Sequence, residues 1–222
     1  MSEILEKLAV CVEFGKVNKM APYPPNMKDQ DGADELTKLA LENNISAKSI
    51  LEEALVAGME KVGKKFAEKK IFIPQMLMSA KAMNVAIEHL KPYFKKGEIE
   101  QKGKFILATV QGDLHDIGKN LVKMAIEGSG WEVIDLGVDV KPDKIIDTLK
   151  SNPDAYVGLS ALLTTTMGNM QNTVEALKKE SPYTKVLIGG APVTGDFCDK
   201  IGADFYSPDP QGAVVYLKQQ AG

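Results

Sequence analysis

Arginine is missing from this sequence: all 27 basic residues are lysine. Bidentate reading of phosphate, carboxylate or guanine usually relies on the guanidinium fork. With 30 acidic residues and a net charge of −3, that absence argues against a nucleic-acid partner. Cysteine is scarce too. Cys11 and Cys198 lie far apart, so no disulfide framework is indicated and both read as buried or half-buried thiols. No apolar run approaches the ~18–20 residues that span a bilayer, and no membrane partner is expected. The first residues carry Glu3, Glu6 and Glu13 and lack a basic-then-apolar signal layout, which points to the cytoplasm. What remains is core-forming material. Across 222 residues, 44% are hydrophobic and 26% charged, enough for one large domain or two small ones.

The two halves of the chain carry different periods. Residues 1–92 show helical spacing and no convincing strand. Leu51, Leu55, Met59, Val62 and Phe66 recur at steps of three and four, as do Met76, Ala80, Met83, Ile87 and Leu90. Pro74 sits near the first turn of the second series, and Pro92 is expected to end it. Earlier helices are expected at about 2–14 and 30–43, separated by a loop rich in proline. The first half therefore reads as a small helical bundle. The charged, weakly patterned stretch 93–103 reads as a linker. From 104 to 222 short apolar runs alternate with helical stretches. The expected strands are 105–110, 132–136, 155–160, 185–188 and 204–206; the expected helices are 116–128, 141–151, 167–180, 194–201 and 210–220. Five such units imply an α/β fold, a flavodoxin-like, Rossmann-type doubly wound sheet of five parallel strands.

In such folds ligands bind beyond the carboxyl ends of the strands, at the switch point of strand order. Order 2-1-3-4-5 makes strands 1 and 3 neighbours there, which brings His115 and Ser160 to one crevice. His115 follows strand 1 with Asp113 two residues before it. An Asp–His pair fixes one imidazole tautomer and makes the other nitrogen a better ligand or base. The same pair also reads as a loop histidine satisfied by a nearby carboxylate. The other histidine, His89, lies late in a helix and reads as structural. A metal held wholly by protein fits poorly, because zinc wants three or four ligands and only Asp113, His115 and Asp116 are clustered. A serine hydrolase fits poorly, because Ser160 lacks the glycine-flanked elbow and a late histidine. Gly112 and Gly118 match neither phosphate-loop spacing. A single histidine could instead be one axial ligand to a metal already held by an organic ring.

Asp113-x-His115-x-x-Gly118 after strand 1, Ser160-x-Leu162 after strand 3 and Gly189-Gly190 after strand 4 together resemble the three-part signature of cobalamin-binding domains of the methionine-synthase type. Residues 30–92, with Phe72-Ile-Pro-Gln-Met-Leu-Met-Ser-Ala-Lys-Ala-Met83, resemble the helical cap that precedes that domain. Size and layout resemble the small stand-alone corrinoid proteins of anaerobic methyltransferase systems.

The resemblance implies a cobalamin cofactor, bound as methylcobalamin or as the cobalt(I) corrinoid, with His115 as lower axial ligand. Asp113 would accept a hydrogen bond from the other imidazole nitrogen, and Ser160 would contact Asp113. Cofactor contacts are implied for Gly112, Asp113, Leu114, His115, Asp116, Ile117, Gly118, Ser160, Leu162, Thr164, Gly189, Gly190 and Tyr206. From the cap, Phe72, Met76 and Met78 are implied to lie over the corrin's upper face. The implied job is methyl carriage: a methyl group taken from a donor-specific methyltransferase and delivered to an acceptor methyltransferase, often for tetrahydrofolate or a thiol. A reductive activase is a further implied partner. The chain has no room for a separate substrate barrel of ~250 residues, so it reads as a carrier subunit. A cobalamin-sensing regulatory module is the alternative within the resemblance. Outside it stand flavin-binding and receiver-like flavodoxin-fold modules; a receiver would want an aspartate where Ser160 stands.

Overall fold

A computed structural model describes residues 2–99 and 101–220. They form two compact units, one of residues up to Gln101 together with Gly128–Gly130, the other of Lys102–Glu127 and the residues from Trp131 onward.

The first unit is helical. Helix α1 (Glu3–Phe14) opens on Ser2, whose hydroxyl accepts the amide of Leu5 at 3.4 Å. It closes on Gly15 in a left-handed conformation. Helix α2 (Ala33–Glu42) follows. Next, α3 (Ala47–Ser49), a π-helical stretch (Ile50–Val56) and α4 (Ala57–Ala67) run on without a break. Helix α5 (Ile73–Lys95) completes the unit. Both apolar series drive this packing. Leu51, Leu55, Met59 and Val62 are buried, as are Met76, Met83 and Leu90, while Phe66 and Ile87 are half-buried. His89 ties α5 to α2, its Nε2 standing 2.6 Å from Asp34 Oδ1. Pro92 does not end α5, which continues to Lys95. A proline so near the end removes only one backbone donor, and the last turn closes around it, with Lys96 N–H reaching the Pro92 carbonyl at 3.2 Å.

The second unit is α/β. Strands β1 (Lys104–Thr109), β2 (Glu132–Asp135), β3 (Tyr156–Ser160), β4 (Val186–Gly189) and β5 (Phe205–Tyr206) lie all parallel in the order β2-β1-β3-β4-β5. Helices α6 (Ile117–Glu127), α7 (Pro142–Lys150), α8 (Met167–Glu180), α9 (Gly195–Ile201) and α10 (Pro210–Gln220) alternate with them. Helix α6 packs with α10, and α7 with α8, as a doubly wound sheet requires. Apolar side chains of β1, β3 and β4 form the core: Ile106, Ala108, Val157, Leu159, Val186 and Ile188 are all buried. The first strand ends one residue earlier than its apolar run, and Val110 instead forms an isolated bridge with Val140. In register, Thr109 lies beside Ser160, and Ser160 beside Gly189. These three mark the carboxyl edge at the point where the strand order reverses.

Candidate functional site

The loop between β1 and α6 is built around one carboxylate. Asp113 is fully buried. Its Oδ1 accepts the His115 amide at 3.1 Å and stands 2.8 Å from the His115 ring nitrogen Nδ1. Its Oδ2 accepts the Leu162 amide at 2.7 Å, the Leu163 amide at 3.3 Å and the Thr166 hydroxyl at 2.8 Å. Burial pushes the Asp113 carboxyl up, but the bonds from the Leu162 and His115 amides, the imidazole and Thr166 outweigh it and hold the group well below the usual carboxylate range. Asp113 is therefore ionised and can only accept, so Nδ1 of His115 carries the proton and donates it. In the neutral imidazole that tautomer leaves Nε2 with its lone pair. The His115 side chain is 49% exposed, and its backbone carbonyl accepts the hydroxyl of buried Thr109 at 2.9 Å.

Large apolar side chains are exposed in this loop and in the turn after β3. Leu114 is 72% exposed, Ile117 67%, and Leu162 and Leu163 each 42%. Leu162 and Leu163 face outward because their amides point in toward Asp113. Exposed apolar side chains in the same loop and turn as a half-exposed imidazole suit a largely apolar ligand. Helix α6, which starts at Ile117, is tied to the sheet. Its buried Lys119 reaches Asp135 Oδ1, at the end of β2, at 2.7 Å. Asp116 is exposed and accepts from Asn120, at its carbonyl at 2.7 Å and at Oδ2 at 3.1 Å.

The glycines divide. A Cβ added at Gly118 meets nothing within 4 Å beyond its own helix and chain neighbours, so space is open there at the start of α6. Gly190 is required by the fold itself: its φ is +130 and an added Cβ would lie 1.8 Å from the Ala161 carbonyl oxygen. Thr164 is exposed in the turn after β3, and Tyr206 is half-buried against the core. In the helical unit Phe72 is exposed at the start of α5, Met76 is buried and Met78 half-buried.

Among the described residues Ser160 makes no hydrogen bond to Asp113. Oδ2 is served by Leu162, Leu163 and Thr166. Ser160 is the last residue of β3, and the chain turns only after it; that turn carries two amides and then the Thr166 hydroxyl to the carboxylate. Thr166→Val should thus destabilise the apoprotein by about 1.5–3 kcal/mol, the usual worth of a bond to a charged group. Ser160→Ala should cost less than ~0.5 kcal/mol. Urea unfolding of the two variants checks this ordering, and equal losses would contradict it.

Among the described residues no group of three or more His, Cys, Asp or Glu is placed to hold a bare metal ion. Also among the described residues, no helix is long and apolar enough to cross a membrane.

Residues 103–215 match the family described as "B12 binding domain", and residues 28–91 match a second family of the same description. The chain is 38% identical over 194 residues to the trimethylamine corrinoid protein of Methanosarcina barkeri, covering 86% of this chain and 89% of that one. A cobalamin-binding protein from Desulfitobacterium hafniense superposes with a TM-score of 0.73 at 32% identity, covering 98% of each chain. The methanol:cobalamin methyltransferase complex MtaBC of M. barkeri superposes with a TM-score of 0.79 at 26% identity, over 98% of this chain and 80% of that one.

Proposed function

Since the chain belongs to the B12-binding corrinoid proteins of methyltransferase systems, we propose that it is a methyl carrier, loaded by one methyltransferase and unloaded by another. When bound, the corrinoid's cobalt supplies the chemistry, taking a methyl group from a donor and yielding it to an acceptor. The protein's own residues bind, orient and ligate. His115 Nε2 would hold the cobalt, Asp113 holds the proton on Nδ1, and Leu114, Ile117, Leu162 and Leu163 would offer the apolar rim. The open space at Gly118 leaves room at the start of α6 for the nucleotide tail, with Gly112, Asp116, Ser160, Thr164, Gly189, Gly190 and Tyr206 as further contacts. Exposed Phe72 and half-buried Met78 have surface to offer the cofactor in this reading, whereas Met76 contributes chiefly to the core.

The observation that carries the reading is the half-exposed His115 whose Nδ1 faces a buried, ionised Asp113, with exposed apolar side chains in the same loop. The donor side is a small methylated compound, an amine or methanol, as the names of the relatives suggest; the acceptor is tetrahydrofolate or a thiol, and a reductive activase restores lost reducing equivalents. Donor choice lies with the partner enzyme. Two free, buried thiols, Cys11 and Cys198, accord with a cytoplasmic setting.

The test is partner dependence. The chain is loaded with cobalamin, reduced, and mixed with methylated amines or methanol, with and without a recombinant donor methyltransferase. Methyl uptake, read by the absorbance change of the corrinoid, should need the methyltransferase. Sustained turnover by the isolated chain would contradict the carrier reading.

A further inference from the structure

The residues just before His115 are held from two sides by hydrogen bonds to their backbone. From the loop after β2, Asp139 accepts the Gly112 amide on Oδ1 at 2.7 Å. Its own amide donates to the Asp113 carbonyl at 3.0 Å. From α8, Asn169 Nδ2 donates to the Gln111 carbonyl at 2.8 Å. These bonds fix successive backbone groups of Gln111, Gly112 and Asp113, while the Asp113 amide donates to the Val110 carbonyl at 3.1 Å.

Asp139 makes both of its bonds from a left-handed backbone, with φ 52, and the glycine it holds is also left-handed, with φ 84. Aspartate enters that region more readily than most residues, yet not freely. A costly conformation persists where its surroundings over-determine it, and such residues gather at functional sites. Here the left-handed turn sets the amide and the carboxylate of one exposed residue against two consecutive residues of the ligand loop. Pinning Gly112 N and Asp113 O fixes the backbone on both sides of the Asp113 Cα. The carboxylate then has one aim, toward Leu162, Thr166 and the imidazole.

We propose that Asp139 is a positioning residue for ligation by His115, with Asn169 as its counterpart on the other side of the loop. The proposal rests on the corrinoid reading given above. Groups behind a metal ligand set its orientation and basicity; Asp139 acts one step further back, through the loop backbone that carries Asp113.

Asp139→Gly tests it, because glycine keeps the left-handed backbone and the amide and removes only the carboxylate. Asp139→Asn restores an oxygen acceptor. Each protein is loaded with cobalamin, reduced to cobalt(II) and examined by electron paramagnetic resonance at one neutral pH. The ratio of histidine-bound to histidine-free cobalt should fall about threefold or more in Asp139→Gly, a modest share of the losses usual behind a metal ligand. Asp139→Asn should recover most of it, and corrinoid stoichiometry should stay at the wild-type value. Asn169→Ala should lower the ratio in the same direction, and it carries the test if Asp139→Gly does not fold. A wild-type ratio in folded, loaded Asp139→Gly, or in Asn169→Ala should the glycine variant not fold, would overturn the proposal. Failure of the wild type to take up corrinoid would overturn the cofactor reading itself, and the proposal with it.

Discussion

Asp113→Asn should lower the fraction of cobalt bound by His115 by about 10–100-fold, the usual cost of losing the group behind a metal ligand. The physical reason is a shortage of acceptors. Both Asp113 oxygens face donors: the His115 amide and ring nitrogen on one side, the amides of Leu162 and Leu163 and the Thr166 hydroxyl on the other. An asparagine must turn its NH2 toward one of these sets. Turned toward Thr166 and the leucine amides, it leaves buried donors unpaired. Turned toward His115, it makes Nδ1 an acceptor and moves the ring proton to Nε2, the nitrogen needed for ligation. Absorbance spectra of the loaded variant report the lost ligand, and a wild-type spectrum would contradict this account.

The same carboxylate gives a pH signature without cofactor. Burial pushes the Asp113 group up, but the hydrogen bonds win and depress its folded value, below the unfolded value of ~3.9. The sign follows: the stabilisation is fully present above the unfolded value and is lost as pH falls through the folded one. The stability advantage of wild type over Asp113→Asn in urea should shrink as the pH falls below ~4. An advantage that grows as the pH falls below ~4 would oppose the assigned direction.

His115→Ala should remove the lower ligand entirely while corrinoid binding, though weaker, persists. The rim of Leu114, Ile117, Leu162 and Leu163 and the space at Gly118 do not depend on the imidazole. His89→Ala should leave the corrinoid spectrum unchanged, since His89 pairs with Asp34 within the helical unit. Binding titrations followed by absorbance separate these outcomes. Loss of all corrinoid uptake in His115→Ala would mean that the rim contributes little.

Elements set by burial periodicity were legible from the sequence. Helices 167–180 and 210–220 fall where the apolar spacing put them, and the other strands and helices of the α/β unit lie within a residue or so. Asp113 and His115 were legible because two residues of one short motif meet through local geometry. The Thr166 bond was not legible. It depends on the path of the turn after β3, and a Ser-x-Leu spacing does not specify where the following hydroxyls go. Asp139 and Asn169 escaped notice for a similar reason: their partners are backbone groups of a loop distant in sequence. Pro92 misled because its effect on a helix depends on distance from the end. The π-helical stretch at Ile50–Val56 keeps the spacing of three and four that also describes an ordinary helix, so it left no separate mark.

Central to the account is that His115 Nε2 ligates a bound corrinoid. The most direct measurement is electron paramagnetic resonance of the cobalt(II) form, comparing protein made with ordinary and with nitrogen-15 histidine. The account predicts nitrogen splitting on the cobalt lines that changes with the histidine isotope in wild type and is absent in His115→Ala. Splitting that ignores the histidine isotope, or that survives unchanged in His115→Ala, would contradict it.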